Sequence, residues 1–199
     1  MKLICFSEQI HTFYEAVGYM ISAQTDEKIQ EKLIQNYMTL PNQVWNDIIR
    51  KAAINVDFLT DHIAIKQLDN IIKTNYHACK ALGFAYIQQL KFIYMDMLSL
   101  YKVMSQHISA AIAKNGEEVM KQPIIRAMRG LKKEILKLIN EWIDRSDIIV
   151  EQFIQSLLEA ILNDYKMCPV PSAREPEVLS TMSTVIKKIT VCCILVEIL

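Results

Sequence analysis

Four basic side chains, Arg126, Arg129, Lys133 and Lys137, recur at intervals of three and four residues, which stacks them along one side of a helix. Such a stripe offers one chemistry, electrostatic attraction for an acidic partner. The same spacing also describes an ordinary solvated helix face, and both readings stand. Other reactive residue types are scattered. The five cysteines, Cys5, Cys79, Cys168, Cys192 and Cys193, have no framework spacing, and a reduced, intracellular compartment is the expected setting. His77 and Cys79 stand two apart, an interval that sends helical side chains to different sides and argues against a shared metal. His11, His62 and His107 are dispersed and suit surface or boundary positions. Glycine-rich phosphate loops, G-x-S-x-G elbows, H-E-x-x-H pairs and C-x-x-C motifs are all missing, so neither catalysis nor a cofactor is expected.

Composition narrows the fold that carries these residues. The chain has 199 residues, with 22 Lys and Arg against 22 Asp and Glu, and this balance excludes the basic excess usual in nucleic-acid binders. A hydrophobic share of 52% excludes disorder. Only four Gly and five Pro leave little material for the turns of a many-stranded sandwich or barrel. Met1 to Phe6 is too short for a signal-peptide core. The apolar stretch Ile189 to Val196 falls well short of the roughly 20 residues that cross a bilayer, so no membrane insertion is expected.

Helical periodicity runs from end to end. Ile10, Phe13, Tyr14, Val17 and Ile21 form one apolar stripe, with Gly18 inside it at a cost of about 1 kcal/mol relative to Ala. Ile29, Leu33, Ile34 and Tyr37 form a second, ending before Leu40-Pro41. Pro41 suits the first turn of a third helix that puts Val44, Trp45, Ile48, Ile49 and Ala52 on one side. Asp61 caps a fourth, with Ile65, Leu68, Ile71, Ile72 and Cys79 inward and Gly83 at its end. The fifth runs from Ile87 to the stop at Asn115-Gly116, with Tyr94, Met97, Tyr101 and Met104 at core spacing. A sixth starts near Pro123 and turns Ile125, Met128, Ile135, Leu138, Ile139 and Trp142 inward. Ser146 or Asp147 caps a seventh carrying Ile149, Phe153, Leu157, Ile161 and Tyr165. Cys168-Pro169-Val170-Pro171 is a break. The eighth helix ends near Lys188 and starts either from a Ser172–Glu175 capping box or at Pro176.

Helix starts near residues 8, 61, 121 and 174 suggest a repeat of roughly 50 to 60 residues, somewhat longer than the 40 to 47 of HEAT and armadillo arrays. In such arrays each helix pair hides its apolar side against the next. A globular bundle with accidental spacing is the other reading.

Longer runs of residues bear on that choice. HTFYEAVGYMI at His11 to Ile21, LPNQVW at Leu40 to Trp45, ISAAI at Ile108 to Ile112, KQPIIRAMR at Lys121 to Arg129 and AREPEVLSTM at Ala173 to Met182 resemble the middle-to-late part of the exportin-one family, within the importin-beta-like karyopherins. They occur in the family's order and spacing, and the likeness covers Gln9 to Lys188.

The resemblance implies an all-α, HEAT-repeat α-solenoid, a right-handed superhelix segment of about three and a half helix pairs. It implies a nuclear export receptor that binds Ran-GTP together with leucine-rich export-signal cargo, meets nucleoporins and shuttles between nucleus and cytoplasm. On the family pattern the cargo groove and its reactive cysteine lie upstream of the matching part, so none of the five cysteines here is equated with it. The sixth helix is an outer one by the same analogy, which makes Ran a less favoured partner for the basic stripe than a cargo domain or the receptor's own acidic segments. Residues 1–8 form an atypical N-terminal segment, 9–188 the solenoid fragment and 189–199 a divergent apolar tail. Both ends depart from the family, so a truncated copy or an incompletely assembled gene sequence is expected. A HEAT scaffold of another complex is the alternative, and the KQPIIRAMR and AREPEVLSTM runs argue against it.

Overall fold

The computed structural model describes residues 7–146, 151–168 and 170–198, and all regular structure among them is helical. The helices divide into two compact units, Met1–Tyr94 and Met95–Leu199.

The first unit contains α1 (Ser7–Ser22), α2 (Glu27–Tyr37), α3 (Thr39–Ile54), α4 (His62–Leu82) and the start of α5 (Ile87–Asn115). Its most extensive pairing is α1 on α4. Local chemistry sets the ends. Asp26 accepts from the amides of Lys28 and Ile29 to open α2, and Asp61 does the same for Ile63 and Ala64 to open α4. Gly83, at φ +59°, closes α4 in a conformation that a side chain disfavours. Met38 alone separates α2 from α3, so the third helix begins two residues ahead of Pro41. Pro41 still lies in the first turn, where an amide would have no intrahelical partner.

The inward face of α1 differs from the expected stripe. Phe13 is 61% exposed, whereas His11, Gly18 and Ile21 are buried. The reason is the close approach of α4. A Cβ on Gly18 would lie 2.6 Å from the Ala81 Cβ, so the helices meet where α1 has no side chain. That contact rotates the helix and carries Phe13 outward. Ile29, Leu33 and Val44, expected inward, are likewise exposed, while Ile34, Trp45, Ile48 and Ala52 are buried.

A buried amide network ties α3, α4 and α5 together. Asn75 donates to the Ile71 carbonyl and accepts from the Tyr86 hydroxyl at 2.8 Å and from Gln89 at 3.1 Å. Gln89 and Asn42 exchange two further hydrogen bonds at 2.8 and 3.0 Å.

The second unit holds the rest of α5, then α6 (Pro123–Arg145), α7 (Glu151–Met167) and α8 (Pro176–Ile198). Gly116, at φ +75°, stops α5, and Pro123 is the first residue of α6. Tyr94, Met97, Tyr101 and Met104 are buried, as core spacing requires. The Ser146 hydroxyl donates back to the Trp142 carbonyl at 2.7 Å, and Ser146 closes α6. Asp147 and Ile149 lie outside the described residues, as do Pro169 and Met1 to Phe6, with Cys5 among them. Helix α8 starts at Pro176 and continues past Lys188 to Ile198. Trp142 and Phe153 pack edge to face, with centroids 5.5 Å apart.

Three substitutions test this packing by denaturant unfolding. Gly18→Ala should destabilise by about 1–2 kcal/mol, since overpacking against Ala81 outweighs the gain in helix propensity. Gly130→Ala, with nothing within 4 Å of its new Cβ, should stabilise by about 0.5–1 kcal/mol. Trp142→Ala should cost about 3–5 kcal/mol, and a loss under about 1 would mean that its surroundings collapse without strain.

Candidate partner-contact surface

Helix α6 turns Ile125, Met128, Leu131, Ile135, Leu138, Ile139 and Trp142 into the core, which sets the direction of its basic side chains. The four members of the stripe meet different fates. Arg126, at one end, is exposed. Arg129 Nε donates to Glu175 Oε1 at 2.5 Å, on a carboxylate whose side chain is 1% exposed. Lys133 Nζ lies 3.4 Å from Glu175 Oε2 and 3.1 Å from Glu177 Oε1. The hydrogen bond that Lys133 donates to Glu177, helped by the Glu175 charge, holds the Lys133 ammonium above its ordinary range. Lys137 is exposed, with Nζ 3.9 Å from Glu134. The centre of the stripe is thus engaged within the chain, at the start of α8, and its two ends face outward.

Between Arg129 and Lys133, one position round the helix, is a charge that the stripe does not include. Lys132 is buried, and its Nζ sits 2.7 Å from Asp164 Oδ2 on α7. The Tyr101 hydroxyl on α5 donates to the same oxygen at 2.9 Å, and Lys132 Nζ lies 4.7 Å from the centre of the Tyr101 ring. Burial, reinforced by Asp164, pushes the Tyr101 phenol far up, so it stays a donor. One side of this cluster borders an open groove of about 490 Å³ that includes Ser105, Ala160 and Asn163. The sequence does carry a signal, because Lys132 falls in the register of Met128, Ile135 and Ile139 where an unpaired charge is not tolerated. Its partner, 32 positions away, is not readable from spacing.

In the first unit, Glu15 on α1 binds two side chains of α4: His77 Nδ1 at 2.6 Å and Lys80 Nζ at 2.6 Å. Lys80 first, then His77, holds the Glu15 carboxyl below its ordinary range. Cys79 is buried in the core, whereas His77 faces α1, so the two diverge as their spacing requires. His11, expected at the surface or boundary, is buried and stacks on His77. His62 is exposed, and His107 Nδ1 lies 3.0 Å from the Val103 carbonyl of its own helix. Among the described residues, no three His, Cys, Asp or Glu side chains are placed to hold a metal ion. No helix among them is long and apolar enough to cross a membrane.

Lys132→Met should cost about 3–5 kcal/mol in denaturant unfolding at neutral pH, because it strands the Asp164 carboxylate. Adding Asp164→Leu should recover most of the loss, since replacing both charges removes the desolvation penalty with the pair. Losses from the two single variants that simply add in the double variant would show that the two residues act independently.

Comparison with known proteins agrees with the residue runs. Residues 89–198 match the family described as CRM1 C terminal. Over 185 residues the chain is 56% identical to Exportin-1 of Drosophila melanogaster, an alignment covering 92% of this chain and 17% of that protein. Exportin-1 of Schizosaccharomyces pombe is 43% identical over 186 residues, again 92% of this chain and 17% of the relative. Protein EXPORTIN 1A of Arabidopsis thaliana is 39% identical over 183 residues, covering 90% of this chain and 17% of its own length. The chain therefore spans 17% of the length of each of these relatives. With only helices as regular structure among its described residues, and more than half of its length matching this family, the chain belongs to the exportin-1 family in its CRM1 C-terminal part.

Proposed function

We propose that the chain serves as a non-catalytic HEAT-repeat segment of a nuclear export receptor, which shuttles between nucleus and cytoplasm. Ran-GTP, leucine-rich export-signal cargo and nucleoporins are partners of the receptor as a whole. The observation that carries this reading is the 56% identity with Exportin-1 over 92% of the chain. The mechanism is thermodynamic coupling. Ran-GTP and cargo each favour one conformation of the receptor, so each raises the other's affinity, typically by about 1–3 kcal/mol. Helix pairs joined by many small interfaces supply the elastic element that such coupling needs. An acidic partner, where one meets this segment, approaches Arg126 and Lys137, because Arg129 and Lys133 are occupied by Glu175 and Glu177.

A second reading is that this segment, taken by itself, does not couple Ran-GTP to cargo, since it spans 17% of the length of the relative. It predicts no cooperative capture of GTP-loaded Ran and an export-signal peptide by the isolated chain, and a pull-down in which each increases retention of the other would refute it.

The main reading is tested by exchanging the matching segment of the Drosophila receptor for this chain. A reporter bearing a leucine-rich export signal should then leave the nucleus at a rate close to that with the parent receptor. A folded chimera that binds Ran-GTP and cargo without coupling, and leaves the reporter nuclear, would overturn it.

A further inference from the structure

Helix α1 meets α4 through a pair of imidazoles. The rings of His11 and His77 stack with centroids 5.4 Å apart and planes 6° from parallel. His11 is 8% exposed. The two rings are not equivalent. His77 has a carboxylate to hold it, Glu15 at 2.6 Å, one turn along α1 from His11. His11 has no such partner of its own. From α4 it faces His77, Lys73 and Asp69, and the Asp69 carboxylate is itself bound by Lys73 at 2.8 Å. The Asn70 backbone carbonyl favours a proton on His11, while no charged group of α2 acts on it. Along α1, Glu15 is taken by His77 and Lys80. On the α2 side the Tyr37 hydroxyl donates to the Tyr14 carbonyl, which leaves a neutral contact there.

We infer that docking of α1 on α4 is proton-linked: a neutral His11 lets the stacked pair close, and a proton on His11 drives the two helices apart. Burial, with His77 and Lys73 beside it, holds the His11 imidazole below its ordinary 6.5. The unfolded or undocked helix takes up the proton at that ordinary value. Stability of the docked state is therefore complete above pH 6.5 and is lost progressively as pH falls below it. Glu15, also held low, surrenders its contribution only below the ordinary 4.5, so the interval between the two values isolates His11 among the shifted groups here.

This inference stands apart from the export reading, since it concerns helix docking in the chain itself. Amide hydrogen exchange in the full chain reads it directly. Protection across α1, corrected for intrinsic rates and referred to α6, should fall between pH 7.5 and pH 5 by up to about tenfold per pH unit. Helix α6 contains no histidine and serves as the reference. In His11→Gln the same ratio should be independent of pH in that interval, whatever its absolute value. Constant α1 protection in the parent chain, or the same pH-dependent loss in His11→Gln, would overturn the inference. Direct titration of the His11 ring by NMR is a second check, and a value at or above 6.5 would overturn it too.

Discussion

A polar side chain buried on a helix must find its partner elsewhere than in water, and this constraint governs how the helices here are joined. The helix backbone is largely satisfied by its own hydrogen bonds, so side-chain ties reach across to neighbours. Apolar burial brings helices together but is non-directional and tolerates sliding. The polar ties do not. In the first unit Asn75, Gln89, Asn42 and Tyr86 form a neutral network that fixes three helices against one another. Lys132, Asp164 and Tyr101 do the same for α5, α6 and α7 with a charge pair, while Arg129 and Lys133 hold the start of α8 through Glu175 and Glu177. Each tie demands one register between its helices.

Helix boundaries were the most legible part of this architecture. Asp61, Gly83, Asn115-Gly116 and Pro123 act on their own backbone, so their effects need no knowledge of the fold. The orientation of α1 was not legible by the same rule. Apolar counting weights Phe13 and Val17, whereas the inward face is centred on His11 and Gly18, one polar and the other without a side chain. Only the proximity of Ala81 explains that choice, and proximity is tertiary information. The continuation of α8 beyond Lys188 was hidden for a different reason. A run such as Ile189 to Val196 is apolar on every side, so it has no periodicity from which to read a helix.

The basic stripe marks a similar boundary on what spacing can say. Three- and four-residue intervals establish that Arg126, Arg129, Lys133 and Lys137 share a side of α6. They carry no information about what lies opposite. Arg129 and Glu175 are 46 positions apart, and their contact turns half of an apparent acidic-partner site into an internal clamp once Lys133 joins it. For a scaffold whose proposed work is to bend, this use of charge has a consequence. An exposed pair is screened and weak, but a carboxylate as enclosed as Glu175 cannot leave its cations cheaply, so the joint between α6 and the start of α8 resists deformation more than its apolar contacts alone would.

His11 stands outside this pattern of matched groups, and the contrast explains why its contact with α4 is sensitive to pH near neutrality. Asn75 and Gln89 carry no titratable proton in that range, and the Lys132 charge is answered by Asp164 within the same buried cluster. At His11 the nearest carboxylates are already committed, Asp69 to Lys73 and Glu15 to His77 and Lys80. A charge added there is buried beside the Lys73 ammonium, so the same burial that makes the other ties rigid makes this contact conditional on protonation. Gly18 sharpens the effect. With the α1 and α4 backbones drawn so close at Ala78 and Ala81, the interface has no slack through which the imidazoles can separate while the helices stay docked.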